Sequence, residues 1–235
     1  MSGSVERKEA LQDFRAWNEA MVEAYDPEAY HLRSNPTIRL FERMRVREVV
    51  KTIEGKPGGI VLEVGCGAGN VLERVTNARL IGIDLSDRMV KRTKERLAGR
   101  AVSVLQANAE QLPFRDEIFD GIICNEVLEH VQNPHLLLDE IYRVARLNAK
   151  VAFSIPNEKT INRLKNIIFR LRLDPFFFGG GYTVSRRMDD EWHLHVFDLD
   201  ELSQKLSKRF HIQKVTPLPS RFLPIRHVIA CIPRK

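Results

Sequence analysis

The stretch IVLEVGCGAGN, residues 60–70, joins some of the stiffest residues in the chain to its most pliable ones. Ile60-Val61-Leu62-Glu63-Val64 is apolar and largely β-branched, with one acid near its end. That is the pattern of a short strand buried in a parallel sheet. Gly65, Gly67 and Gly69 follow at once. Glycine costs backbone entropy, so such a cluster marks a sharp bend or a close approach of main chain to a ligand. Asn70 is placed to cap a helix and Glu73 to close a capping box, which predicts strand, glycine turn, helix. A unit of that kind turns backbone N–H groups toward a polar ligand. The spacing is not that of a dinucleotide site, because the third glycine of G-x-G-x-x-G would fall at Asn70. No G-K-[ST] follows either, and Glu63 would repel a phosphate from this turn. An acid beside glycines suits a ligand that has an amino group and no phosphate.

The rest of the chain repeats the alternation. Residues 1–57 read as helical, most clearly in TIRLFERMRVREVVKTI, where Ile38, Phe41, Val46, Val49 and Ile53 share one side. Pro57-Gly58-Gly59 breaks that helix. Strand-like runs then follow at RLIGID, AVSVLQA, FDGIICN and KVAFSIP. Between them lie helix-like runs: NVLERVT, SDRMVKRTKERLAG with Ser86 as cap and Gly99 as stop, and NPHLLLDEIYRVARL. NAEQLPFRD reads as a turn with a short helix, and FHIQKVTPLPSRFLPIRHVIACIP as two strands joined by a Pro-rich loop. The order predicts an α/β fold: a Rossmann-like, doubly wound, mostly parallel seven-stranded sheet with an antiparallel edge strand. An N-terminal helical cap covers 1–57, and the main domain covers 58–235 with a lid or insert at about 158–200.

Composition narrows the classes. At 235 residues, 43% hydrophobic and 29% charged, the chain is one globular domain with additions. No apolar run reaches the roughly 18 residues of a membrane span, and MSGSVERKEALQDF lacks a signal-peptide core. Cys66, Cys124 and Cys231 are scattered and form no C-x-x-C pair, which fits a reducing cytoplasm and no structural zinc. The net charge of +6 permits anionic partners without requiring nucleic acid.

In a doubly wound sheet, ligands sit at the carboxyl ends of the strands. There the sequence places Gly65 to Gly69, Asp84, Asn108, Asn125 and Asn157, all small or polar after apolar runs. Asp84 can take two hydrogen bonds from vicinal ribose hydroxyls, or cap the next helix, a task that Ser86 and Asp87 can also perform.

In this order and at these spacings, LEVGCGAGN, IGIDLS, ANAEQLPF, FDGIICNEVLEHV and IPN resemble the class I S-adenosylmethionine-dependent methyltransferases across about residues 60–157. NPTIR, NEVLEHV and IPNEKTINRLK give a flavour of the quinone O-methyltransferases of ubiquinone biosynthesis. The resemblance implies S-adenosyl-L-methionine as cofactor, with Glu63 holding its amino group through water. Gly65, Gly67 and Gly69 would pass beneath its methionine and ribose, and Asp84 would bind the ribose, with Leu85 against the adenine. Asn108, where many members carry Asp, and Ala109 would meet the adenine edge and ring; Asn125 would flank the methionine portion. Arg39 would reach the cofactor carboxylate, or else is a surface arginine on an amphipathic helix.

Methyl transfer is an in-line displacement for which the protein mainly supplies geometry. A hydroxyl acceptor adds the need for a base, and the candidates are His130, His193 and His195, each of which can instead be bonded within the fold. Alternation would put His193 and His195 on one face of an extended segment. Glu126, Glu129 and His130 fall at i, i+3 and i+4, where they can hold a divalent ion or simply anchor the loop. In INRLKNIIFRLRLDPFFFGGG, Ile161, Leu164, Ile167, Ile168 and Leu171 form one helical face bordered by Arg163, Lys165, Arg170 and Arg172. That face suits weak contact with a membrane surface, or ordinary packing on the sheet. Phe176–Phe178 before Gly179–Gly181 suggests a gate over an apolar acceptor. The resulting expectation is a methyltransferase for a small, apolar or lipid-like acceptor, oxygen first among target atoms. A nucleic-acid methyltransferase using Arg39, Arg43, Arg45 and Arg47 is the rival, although Glu42 and Glu48 interrupt that basic row. A non-catalytic cofactor-binding protein is the other.

Overall fold

A computed structural model describes residues 13–25, 36–54, 58–173 and 192–235. Two helices come first, α1 (Phe14–Tyr25) and α2 (Pro36–Ile53). Then follow β1 (Ile60–Val64), β2 (Arg79–Asp84), α3 (Asp87–Arg96), β3 (Val102–Gln106), β4 (Phe119–Asn125), α4 (Pro134–Val144) and β5 (Ala145–Pro156). The chain closes with α5 (Glu158–Arg170), α6 (Leu199–Ser207), β6 (Phe210–Ser220) and β7 (Leu223–Pro233). The strands form one seven-stranded sheet in the order β3-β2-β1-β4-β5-β7-β6. β7 alone runs opposite to the other strands of the sheet, one place in from the edge that β6 occupies.

Two cores follow from the alternation of side chains along the strands. Val61, Ile123, Ala152 and Val228 point to the side covered by α2 and α3, where they meet Val49, Val50, Ile53 and Val90. Leu62, Ile122, Phe153 and Ile229 point to the other, where Leu137, Leu138 and Ile141 of α4 and Leu202 and Leu206 of α6 close over them. Glu63 shares its face with Val61, so its carboxyl points toward α2. The parallel register brings the strand ends level: Val64 pairs with Ile83 and with Cys124, and Asp84 with Gln106.

The helix expected at NVLERVT is one 3-10 turn, Leu72–Arg74, and no side chain caps it. Two side chains divert its backbone. The Leu72 N–H donates to the Glu63 carboxylate at 3.2 Å. The Arg100 guanidinium collects the carbonyls of Leu72, Glu73 and Val75 at 3.2, 2.6 and 2.7 Å. With β-branched Val71 and Val75 at its borders, the segment has little helix preference to set against those bonds. NAEQLPFRD likewise makes turns and no helix. Ser86 does cap α3, accepting from the Met89 N–H at 3.2 Å, and Asn133 caps α4.

α2 departs from its expected face. Val49, Val50 and Ile53 are buried, yet Glu42 and Arg45 complete the buried stripe while Phe41 and Val46 stay half-buried. Because Arg45 is inside, the row Arg39, Arg43, Arg45, Arg47 is not a continuous basic surface. On α5, Ile161, Leu164 and Ile168 are half-buried and Lys165 is buried, whereas Ile167 and Leu171 stand 55% and 60% exposed. No helix among the described residues is long and apolar enough to cross a membrane. Pro57, Phe176–Phe178 and Gly179–Gly181 lie outside the described residues.

Candidate functional site

The strand ends of β1, β2 and β4 and the loops after them converge as the topology requires. Gly65, Gly67 and Gly69 have φ of +66°, +51° and +81°. A Cβ at Gly65 would lie 2.5 Å from Val127 Cγ2, so that glycine is needed for loop-on-loop packing. A Cβ at Gly67 would meet nothing within 4 Å, which leaves an open cradle above the loop. The Gly67 N–H donates to Asp84 Oδ2 at 2.8 Å, and the Ser86 N–H to Oδ1 at 2.9 Å. Asp84 thus fastens the glycine loop to the β2–α3 turn, and each oxygen keeps acceptor capacity. Burial raises its pKa to about 6, against the pull of those backbone bonds and with added pressure from Glu19.

Glu63 is buried beneath the loop. Burial pushes its carboxyl well above the usual range, while the Leu72 N–H and the Arg45 charge pull it back. A buried acid under such pressure is stabilised by an incoming cation. On α2, the Nε of Arg39 is buried without a hydrogen-bond partner, as are Nε and Nη1 of Arg45. Buried guanidinium N–H groups left unmade are costly, so they favour an anionic or carbonyl partner. An ammonium for Glu63 and a carboxylate for these N–H groups are the two ends of an amino acid. With the acceptor capacity left on Asp84 for hydroxyl groups, these residues fit S-adenosylmethionine.

Leu85 is half-buried, and its carbonyl accepts from Gln106 Nε2 at 2.9 Å. The Ala107 N–H donates to the Asp84 carbonyl at 3.0 Å, which brings Asn108 and Ala109 beside the β2 end. Asn108 Oδ1 accepts from the Glu110 N–H at 2.9 Å, so its carbonyl is partly engaged within its own turn. Asn125, at the end of β4, accepts from Ser154 Oγ at 2.8 Å.

α1, from the expected N-terminal helical segment, is tied to this end of the sheet. Ser86 Oγ donates to Glu19, the Arg88 N–H reaches Glu19 Oε1 at 3.3 Å, and Arg15 donates to Gln106 Oε1 at 2.9 Å. Val22 packs with Ala68 and Met89, with Trp192 against them.

The three histidines take different partners. Alternation does not hold for residues 193–195, because the N–H groups of Leu194 and His195 both donate to the Glu129 carbonyl, at 2.8 and 3.1 Å, and bend the chain. His195 turns its Nε2 to the carbonyls of Val131 and Gln132, at 2.9 and 3.2 Å, and is committed as a donor. His130 and His193 come together with ring centroids 4.9 Å apart. Burial, and then the neighbouring His193, lower the His130 pKa to about 3, so it is uncharged at neutral pH. His193 Nδ1 lies 2.8 Å from Glu158 Oε1. Glu158 directly follows Asn157 at the β5 end; the strand-end rule applied one residue further would have found it.

The candidate ion-binding trio does not assemble. Glu126 pairs with Arg226 at 3.0 Å, and Glu129 is buried, its pKa raised to about 8 by burial and then by Glu126. Among the described residues, no group of three or more His, Cys, Asp or Glu is disposed to hold a metal ion.

Comparison with known proteins agrees with this geometry. Residues 62–153 match a family model described as a methyltransferase domain. The ubiquinone biosynthesis O-methyltransferase of Nitrosomonas europaea is 32% identical over 140 residues, 56% of this chain and 60% of that one. The ubiquinone/menaquinone biosynthesis C-methyltransferase UbiE of Desulfotalea psychrophila is 28% identical over 159 residues, 66% of this chain and 62% of that one. The chain spans about half the length of the curated relatives it matches, from 45% to 62% for three of them. Among solved structures, the N-methyltransferase NodS from Bradyrhizobium japonicum, crystallised with S-adenosyl-L-homocysteine, superposes with a TM-score of 0.67. That alignment covers 92% of this chain and 98% of NodS at 16% identity, a likeness of fold. Residues 62–153 match a methyltransferase domain, and the seven-stranded sheet built around them has the fold of these solved methyltransferases.

Proposed function

We propose that this chain transfers the methyl group of S-adenosylmethionine to a small apolar acceptor, with oxygen as the receiving atom. The observation that carries the reading is a complementary polar set: the buried carboxylates of Glu63 and Asp84 beside the open glycine loop, and the unpartnered N–H groups of Arg39 and Arg45 on α2. When bound, S-adenosylmethionine supplies an electrophilic methyl group. The chain's own residues hold and orient it. Glu63 faces the ammonium and Arg39 the carboxylate; Asp84 takes the ribose hydroxyls and Leu85 lies against the adenine. Asn108 and Ala109 meet the rest of the base, and Asn125 flanks the methionine portion. α1 and Trp192 exclude water from the site, and His193 is the base.

Residues 1–57 and about 158–200 shape the acceptor side in this reading. Exposed Ile167 and Leu171, with Arg163, Arg170 and Arg172 nearby, support a lipid-like acceptor met at a membrane surface. Cys66, Cys124 and Cys231, all free and buried, suit a cytoplasmic location.

Calorimetric titration with S-adenosylhomocysteine, run beside NADH, tests the cofactor. Binding of the first and silence from the second is the expected result; the reverse pattern, or no binding of either, overturns the reading. The same titration has a pH signature. With its pKa at about 6, Asp84 holds a proton in the ligand-free protein below that value. Its protonated form favours the folded state at low pH, and this contribution is lost as pH rises through 6. The ribose hydroxyls need the ionised form. Affinity should therefore rise about tenfold from pH 5 to pH 7. Asp84→Asn should flatten this profile and weaken binding by about 1–3 kcal/mol. A steep profile that persists in the variant would assign the titration to another group.

A further inference from the structure

We propose that Glu158 is the positioning residue of the acceptor site: it holds the His193 imidazole in the tautomer whose Nε2 takes the acceptor's proton. The inference rests on the methyltransferase reading above and names how its base is prepared.

The two side chains are 4% and 9% exposed, and Glu158 Oε1 lies 2.8 Å from His193 Nδ1. The second oxygen, Oε2, is buried and accepts no hydrogen bond. A carboxylate placed at Nδ1 fixes the ring proton there, and the opposite nitrogen is then the lone-pair site. It also stabilises the imidazolium that forms when Nε2 accepts a proton, without itself taking one. Neither neighbour can be prepared this way. His195 Nε2 points at two carbonyls and must carry a proton to satisfy them. His130 Nδ1 lies 3.3 Å from the Trp192 carbonyl, and among the described residues no carboxylate is bonded to its ring.

Position agrees with chemistry. Asn157 caps α5 by accepting from the Thr160 N–H at 3.1 Å, so Glu158 is held at the carboxyl end of β5. β5 lies next to β4, on the far side of it from the glycine cradle. An acceptor facing the donated methyl from the β4–β5 side therefore meets His193. Among the described residues, Glu158 from α5 and His130 from the loop after β4 lie against His193, and the charge of Glu129 from that loop acts on it. In the step itself, the acceptor O–H gives its proton to Nε2 and its oxygen forms the bond to the methyl carbon. The C–S bond breaks with its electron pair remaining on sulfur, and the imidazolium passes its proton to solvent. Charge balances: one positive charge leaves sulfur as one appears on the ring.

The test needs no acceptor. Nitrogen-15 spectra of the cofactor-free protein, with the His193 signals assigned by their loss in His193→Gln, report tautomer and titration together. The expected result is Nδ1-protonated His193. Glu158→Gln keeps a hydrogen-bonding oxygen and removes the charge, and should lower the His193 pKa by about one unit or more, a tenfold loss of proton affinity. Glu158→Asp should recover part of it. An Nε2-protonated ring in the wild type, or an unchanged titration in a folded Glu158→Gln, overturns the inference. S-adenosylhomocysteine binding is the separate control: its failure in the wild type sinks the methyltransferase reading, while a normal value beside an unshifted His193 sinks only the role of Glu158.

Discussion

Gly65→Ala should unfold at markedly lower temperature, whereas Gly67→Ala should fold almost normally and fail to bind S-adenosylhomocysteine. Both residues have positive φ, +66° and +51°, so each alanine carries the left-handed penalty of about 1–2 kcal/mol. They differ in what the added methyl meets. At Gly65 it falls 2.5 Å from Val127 Cγ2 and 3.4 Å from Cγ1, the branches of a short, stiff side chain. Val127 packs against the core and sits between Glu126 and Leu128 at the end of β4, so it cannot swing aside without moving that loop. Overpacking of this kind adds about 1–3 kcal/mol, for a total of about 2–5 kcal/mol. At Gly67 the methyl enters open space, so stability loses only the backbone penalty. That space is where the cofactor's methionine and ribose would pass, and affinity should fall at least about a hundredfold, or about 2.7 kcal/mol. Thermal unfolding and calorimetry on the two variants give a crossed pattern. Equal loss of stability with equal binding would mean the cradle is only a turn.

Much of this site is legible in the residues because it is built from backbone geometry and strand ends. Glycines that must take positive φ, and Asp84 and Asn125 at the limits of apolar runs, carry their positions in local sequence. The strand boundaries at Ile60–Val64, Arg79–Asp84 and Phe119–Asn125 coincide with those runs for the same reason. What local sequence conceals is partnership at long separation. The 3-10 turn after Gly69 depends on Arg100, and the latch of α1 on Glu19 meeting Ser86. The different partners of His193 and His195 go with one carbonyl, that of Glu129, taking two N–H groups. Periodicity assigns charged residues to solvent, and Glu42 and Arg45 break that rule because their counter-charges arrive from Arg226 on β7 and from Glu126 just after β4.

Those counter-charges make Arg226 the residue whose loss should cost the most stability. It stands on β7 beside the end of β5, 8% exposed, with Nη2 at 2.8 Å from Glu42 and Nε at 3.0 Å from Glu126. Glu42 also takes a bond from Arg45 Nη2, so the order Arg45–Glu42–Arg226–Glu126 alternates in sign and sums to zero. Replacing Arg226 with methionine keeps much of the volume and leaves two carboxylates facing one guanidinium. Breaking a buried pair from one side costs about 3–5 kcal/mol. For a domain of this size that is a fall in Tm on the order of 10 °C. Removing Glu42 as well should return part of the loss, because Arg45 and Glu126 still attract each other across the gap. A double variant less stable than Arg226→Met alone would show that Glu42 contributes by packing, not by charge. The network also bears on the site. It ties α2, which carries Arg39, to the β4 end, which carries Asn125 and the Val127 wall behind the glycine loop. Arg226→Met should therefore weaken S-adenosylhomocysteine binding even at temperatures where the protein stays folded. Unchanged affinity would mean that α2 is held over the cradle by its apolar face alone.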